Sequence, residues 1–247
     1  LDCDDVAMPE RLQIQLDFFI RHPEIALCSG RAINIGETGT PLNETDRFKG
    51  DKNVLLLFGN ILVNSAVMIR TKVIRDGGSY QANAPAEDYD LAMRIAADYP
   101  VATIDDILVM YRVHGSNTSR QSLEHQKRME KNIFRDFHSR FKIKTSERKV
   151  DLHHSFLSGQ TDGFSLDEYH SYILELWNNS NITAHYKEPE LRKVLFNKWF
   201  DVVMIKGGRK AMLLLFNTPL YSSAVVSSKH LRRAFKKSLK SFLSRKG

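Results

Sequence analysis

Asp2, Asp4 and Asp5 crowd the start of the chain, Glu87, Asp88 and Asp90 form a second acidic group, and Tyr111-Arg112-Val113-His114 follows further along. Carboxylates held this close repel one another unless a cation or a proton-transfer task compensates, so two acid groups and a histidine point to metal-assisted chemistry. A phosphate-bearing substrate is what such a cation would neutralise. The plainer reading of Asp2 and Asp4 is helix capping, but a cap takes one acid and not three within four positions. Glu87 and Asp88 also suit an ordinary acidic first helical turn, where carboxylates face the positive end of the helix dipole.

The order of these residues resembles the family 2 glycosyltransferases, which transfer a sugar from a nucleotide-sugar donor to an acceptor hydroxyl. The likeness rests on Leu1-Asp2-Cys3-Asp4-Asp5 with Pro9-Glu10-Arg11-Leu12, Ser65-Ala66-Val67-Met68-Ile69-Arg70, Gly77-Gly78-Ser79-Tyr80, Glu87-Asp88-Tyr89-Asp90-Leu91, and Tyr111-Arg112-Val113-His114 with Asn117 and Ser119. Each piece alone is weak, but several in the right order multiply. Two positions depart from the family pattern: Ala92 stands where relatives usually carry Trp, and Asn64 where His is common. Both would sit near the acceptor pocket.

The resemblance implies a GT-A type (Rossmann-like) α/β fold, a mixed sheet with flanking helices, followed by a C-terminal helical region. It implies that Asp4 and His114 hold a divalent cation, Mn or Mg, bridging the donor's two phosphates. Asp2 would contact the ribose or the metal shell, and Arg112 is a secondary candidate for substrate binding. Asp88 matches the general base that accepts the acceptor's proton, with Glu87 orienting it or the acceptor. A single base opposite the leaving group means inverting transfer. The implied partners are a nucleotide-diphosphate sugar donor and a glycan or lipid-linked acceptor, in surface polysaccharide or glycan assembly. Family members carry an earlier strand-helix-strand region for the nucleotide base. Because the chain starts without Met at an apparent strand end, it reads as the C-terminal part of a longer protein.

Two rival readings exist. Asp2-Cys3-Asp4-Asp5-Val6 also fits a phosphatase of the haloacid dehalogenase type, with Asp2 as nucleophile, Asp4 as acid/base and Asp105-Asp106 as a poor downstream acid pair. A non-catalytic sugar- or membrane-binding module is the other.

Charge divides the chain. Residues 1 to 120 hold 12 Lys and Arg against 17 Asp and Glu, and residues 121 to 247 hold 24 against 12. The halves therefore have different jobs, a catalytic region over 1–120 and a helical, basic, acceptor-side or membrane-proximal region over 121–247. Cys3 and Cys28 sit outside any spaced framework, which favours reduced thiols and a cytoplasmic setting. No apolar run reaches the roughly 18 residues of a membrane span. Lys229 to Lys246 nevertheless carries eight Lys or Arg and no acid, with Leu231, Phe235, Leu239, Phe242 and Leu243 as an apolar stripe. That combination suits an anionic membrane surface, reached peripherally from the inner face. Phe235 and Phe242 belong to the apolar stripe, and with no stacking aromatics interleaved among the cations nucleic acid is not expected. His153-His154 and His170 have no acid or Cys partner at metal spacing and read as surface or packing residues.

The elements that must position the site follow from periodicity. A helix is expected over Met8–Arg21 on an apolar face of Leu12, Leu16 and Phe19, then a buried strand at Ile25–Cys28, with the aspartates at the carboxyl end of a preceding strand, where ligand sites of open α/β sheets lie. Gly36–Asp51 reads as loop, 53–58 as helix, 65–69 as strand, Glu87–Ala97 as helix, and 101–104 and 107–111 as two strands delivering Arg112 and His114 to the sheet's edge. Helices are expected at 123–141, 149–157, 166–178, 188–203 and 229–243, with breaks at Gly207-Gly208 and Asn217-Thr218-Pro219.

Overall fold

A computed structural model of the chain describes residues 1–77, 79–81, 85–114 and 123–243. Gly78, Asn117, Ser119 and Lys246 lie outside the described residues, as do the side chains of Leu239, Phe242 and Leu243. The fold is mixed α/β with a five-stranded mixed sheet, flanking helices and a helical C-terminal region, as expected. It divides into two units, Leu1–Ile133 and Phe134–Gly247.

The first unit is built on two long parallel strands, β2 (Leu27–Ile35) and β5 (Val101–Arg112), paired from Leu27 opposite Val101 to Ile35 opposite Arg112. β1 (Val6–Ala7) runs antiparallel along the far side of β5, with Val6 opposite Met110. β3 (Pro41–Glu44) and β4 (Met68–Ile69) both pair antiparallel with β2, near its end and its start respectively. β2 buries Leu27 to Ala32 continuously, the pattern of a strand covered on both faces. Cys28, Ala32, Ile104, Leu108, Val109, Ala66 and Phe19 form the core against it.

Several expectations change here. The aspartates precede β1 in a turn instead of ending a strand. The strand expected at Ile25–Cys28 runs on to Ile35, and the two strands expected over 101–111 are one, lying inside the sheet between β1 and β2 instead of at its edge. The Gly36–Asp51 loop contains β3, whose four residues are all exposed and so carry no apolar alternation to read. The 65–69 strand opens as a 3-10 turn, Asn64–Ala66. Helix α1 (Arg11–Arg21) buries Arg11, Gln15 and Phe19 and leaves Leu12, Leu16 and Ile20 exposed. The inward polar pair is satisfied: the Gln15 amide donates to the Ala66 carbonyl at 2.8 Å, and Arg11 donates to Gln15 at 3.1 Å and to the Val67 carbonyl at 3.3 Å. Short helices α2 (Lys52–Leu56), α3 (Thr71–Gly77) and α4 (Glu87–Ala96) complete the unit.

The next helix, α5 (Leu123–Arg140), crosses the division. In the second unit follow α6 (Glu147–Ser158), α7 (Leu166–Asn178), α8 (Ser180–His185), α9 (Glu188–Lys206), α10 (Gly208–Phe216) and α11 (Ser228–Leu243). α7 starts with a full capping box between Ser165 and Glu168. α9 buries Leu191, Val194, Leu195, Phe196, Trp199, Phe200, Val202 and Val203, apolar residues spread around the helix as a central core helix requires. The expected break at Gly207 is real: with φ of 68° it takes a conformation open to glycine and separates α9 from α10. His153 and His154 are buried packing residues, and His170 stacks near Trp199 with ring centres 4.9 Å apart.

Candidate active site

The carboxyl ends of β2 and β5 gather the aspartates. Asp2 to Asp5 closes a turn through the Asp5 amide and the Asp2 carbonyl at 3.3 Å, and the Asp2 amide donates to Ser65 Oγ at 3.2 Å. Arg112, the last residue of β5, fixes this turn. Its amide donates to Asp5 Oδ1 at 2.7 Å, and its guanidinium donates to the carbonyls of Asp4 at 2.8 Å, Gly36 at 3.2 Å and Glu37 at 2.8 Å. Asp5 is thereby a buried anchor, while Asp2 stays exposed and Asp4 half-exposed. Two residues past the strand, His114 Nε2 comes within 2.7 Å of Asp4 Oδ2. That hydrogen bond is the main reason the Asp4 carboxyl lies below the usual range for aspartate.

The second acid group begins α4. Asp88 Oδ2 accepts from Asn60 Nδ2 at 3.0 Å, and its Oδ1 accepts from the Tyr89 amide at 2.7 Å. Burial pushes the Asp88 carboxyl up, the charge of Glu87 adds to that, and the two hydrogen bonds only partly oppose it. Glu87 Oε2 is shielded from solvent without a hydrogen-bond partner. Asp90 plays a different part, pairing inside the helix with Arg94 at 2.9 Å. The start of α4 is tied down by Tyr89, whose buried hydroxyl donates to the Leu56 carbonyl at 2.6 Å. Asp88 lines a small cleft together with Asn60, Leu62, Asn64, Tyr80, Leu91 and Ala92. Asn64 and Ala92, the two departures in sequence, thus stand on one cleft wall.

Tyr111 links the two groups. Its phenol is pushed up first by burial and then by the negative charges of Asp5, Asp2, Asp4 and Asp88, so all four carboxylates act on one ring. Tyr80 feels burial, then Asp88, Glu87 and Asp2. Asp2, Asp4, Glu87, Asp88, Arg112 and His114 are therefore assembled in one region. Sequence reasoning missed Asn60 and the bridging positions of Tyr80 and Tyr111. A lone Asn in a polar connection carries no pattern, whereas Tyr80 and Tyr111 both stand in the motifs of the family resemblance.

Among the described residues no three His, Cys, Asp or Glu side chains cluster as a closed metal site would require. Asp4 and His114, hydrogen-bonded at 2.7 Å, are a carboxylate and an imidazole of the kind that could hold a divalent cation, which would supply neutralisation of phosphate charge there. Asp5 Oδ2, buried and without a hydrogen-bond partner, adds negative potential beside them. The phosphatase geometry is not formed. Asp105 and Asp106 are exposed on β5, and Asp106 lies four residues, about 13 Å by strand rise, before the Met110 that pairs with Val6.

Comparison with known proteins adds sequence relatives of one class. The chain is 31% identical over 114 residues to the amylovoran biosynthesis glycosyltransferase AmsE of Erwinia amylovora, an overlap of 45% of this chain and 43% of that protein. It is 29% identical over 127 residues to the O-antigen biosynthesis glycosyltransferase WbnJ of Escherichia coli, covering 50% of each. It is 27% identical over 131 residues to an uncharacterized glycosyltransferase of Methanocaldococcus jannaschii, covering 51% and 45%. These likenesses support a glycosyltransferase. The chain spans about half the length of the curated relatives it matches. No protein-family model matches it.

Proposed function

We propose that this chain carries the base and the phosphate-side residues of an inverting family 2, GT-A type glycosyltransferase, using a nucleotide-diphosphate sugar donor and a glycan or lipid-linked acceptor. The observation that carries this reading is Asp88: a carboxylate of raised basicity, oriented by Asn60 on a cleft wall, sharing the field at Tyr111 with the Asp2–Asp5 turn. The names of two relatives, one of amylovoran and one of O-antigen biosynthesis, support a setting in bacterial polysaccharide assembly.

In this mechanism the acceptor hydroxyl enters the cleft and Asp88 takes its proton while the oxygen bonds to the anomeric carbon. The bond from that carbon to the donor phosphate breaks, and its electron pair leaves on the nucleoside diphosphate. One in-line displacement converts an α-linked donor to a β-linked product without a covalent enzyme intermediate. Raised basicity serves Asp88 because it strengthens the pull on the proton. Glu87, beside it, reinforces that basicity and orients the acceptor. Asp2 is exposed for the ribose, and Arg112 acts by holding the carbonyls around Asp4 in place. A Mn or Mg ion on Asp4 and His114 would supply neutralisation of the charge gathering on the diphosphate.

Calorimetric titration of the chain with UDP and GDP, with and without Mn²⁺, tests the phosphate side. Metal-dependent binding that disappears in Asp4→Asn is expected. Affinity indifferent to the metal, or unchanged in Asp4→Asn, would sink the assignment.

A further inference from the structure

α11 presents three arcs to its surroundings. One packs inward: the His230 ring lies 5.5 Å from that of Phe196 and 4.6 Å from that of Phe200, Ala234 is buried, and the Lys237 stem covers Gly207. The adjoining arc, Leu231 and Phe235, is unused by this packing, with Phe235 69% exposed and Leu231 46%. Leu239 and Phe242 recur at the same helical spacing in the sequence. The third arc holds Lys229, Arg232 and Lys236, all exposed. Arg233 is excluded from it, being committed to Asp201 at 3.5 Å and to the face of Phe200. α10 adds exposed Leu213 and Phe216 and exposed Arg209. From Val202 to the end, the chain has eleven Lys and Arg and no Asp or Glu.

We propose that this face of the second unit docks on an anionic lipid bilayer, with Leu231 and Phe235 entering shallowly among the acyl chains and Lys229, Arg232 and Lys236 resting on the headgroups. Cations bordering an apolar stripe on one helix are complementary to a surface that is negative outside and apolar within. The exposed stripe is narrow for a stable protein interface, which needs about 800 Å² from each partner. Nor does it offer the series of stacking rings that single-stranded nucleic acid uses.

Because every proposed contact residue is exposed, point variants test the surface without opening the seam that a truncation would expose. The 247-residue chain is sedimented with vesicles of phosphatidylcholine alone or mixed with phosphatidylglycerol, at low and high salt. The parent is expected to bind only the mixed vesicles and to leave them as salt rises. The triple variant K229E/R232E/K236E should lose more than 100-fold in partitioning, since each lost cation is worth about fivefold. Leu231→Ser with Phe235→Ser should weaken binding while keeping its salt dependence. Unchanged circular dichroism would confirm that both variants fold. Absence of parent binding to mixed vesicles, equal binding by parent and both variants, or a concentration-dependent oligomer that Phe235→Ser dissolves would overturn the proposal.

Discussion

His114 Nε2 stands 2.7 Å from Asp4 Oδ2, although 110 residues of chain separate them. The imidazole is the first cause of the depressed Asp4 pKa, so His114→Ala should return that carboxyl toward the ordinary aspartate range. Carbon-detected NMR titration of Asp4 reads this directly. The sign for stability follows. A carboxyl depressed in the folded state stabilises the fold above the usual aspartate range, and that contribution fades as pH falls through the folded value.

Asp88→Asn keeps the shape and one hydrogen bond but accepts no proton, so turnover of a competent enzyme should fall roughly 10²–10⁴-fold with donor affinity little changed. Near-normal turnover would move the base to Glu87. Asn60→Ala makes a finer test: it removes a bond that holds the Asp88 carboxyl down, so the acid limb of the pH–rate profile should move to higher pH.

Arg70 closes the C-terminal end of α1. Its guanidinium donates to the carbonyls of Phe19 at 2.8 Å, His22 at 3.2 Å and Ile25 at 2.7 Å, and lies 4.6 Å from the centre of the Phe19 ring. Arg70→Ala should cost about 2–4 kcal/mol in denaturant unfolding. Arg70→Lys should recover little of it, because an ammonium cannot reproduce a planar fork against three carbonyls.

His138 in the second unit is fully buried, 2.8 Å from the Tyr172 hydroxyl, which in turn meets His153 Nδ1 at 2.9 Å. Burial, aided by Lys149, lowers the His138 pKa to about 4. Between that value and the ordinary histidine range the unfolded chain binds a proton that the folded chain refuses, so stability rises with pH across this window and is lost as pH falls through it. The contribution is on the order of 3 kcal/mol. Urea unfolding from pH 7 down to pH 4 should show the decline, and His138→Leu should flatten it.

The parts legible in sequence were those whose residue types state their chemistry. Asp4, Asp88 and His114 could be named because acids in groups beside a histidine are costly without a task. α7 and α9 could be named as helices from their long stretches rich in apolar residues without a glycine or an internal proline. The face of α1 was read correctly at Phe19 and wrongly at Leu12 and Leu16, which are exposed, because the buried side depends on Arg11 and Gln15 finding carbonyls at Ala66 and Val67 that no local pattern reveals. β3 stayed hidden because it gains only backbone pairing with β2 and buries no side chain. The pairing of His138 with Tyr172 joins two helices at unrelated spacings, and only the packed unit brings it about.

The clamp made by Arg112 also governs when the site comes into being. It joins Asp4 and Asp5 to Gly36 and Glu37 from the last residue of a strand more than a hundred positions away from the aspartates. Such a long-range closure carries a loop-closure cost that local contacts do not, and it depends on the β2–β5 pairing that brings Arg112 to the turn. The aspartate turn is therefore a product of the finished sheet, and a chain released before Arg112 has emerged would hold Asp4 and Asp5 without the residue that ties their turn down. The clamp also carries a built-in reporter. Deuterium uptake at the Arg112 amide, whose proton rests on Asp5, measures how often the turn lets go.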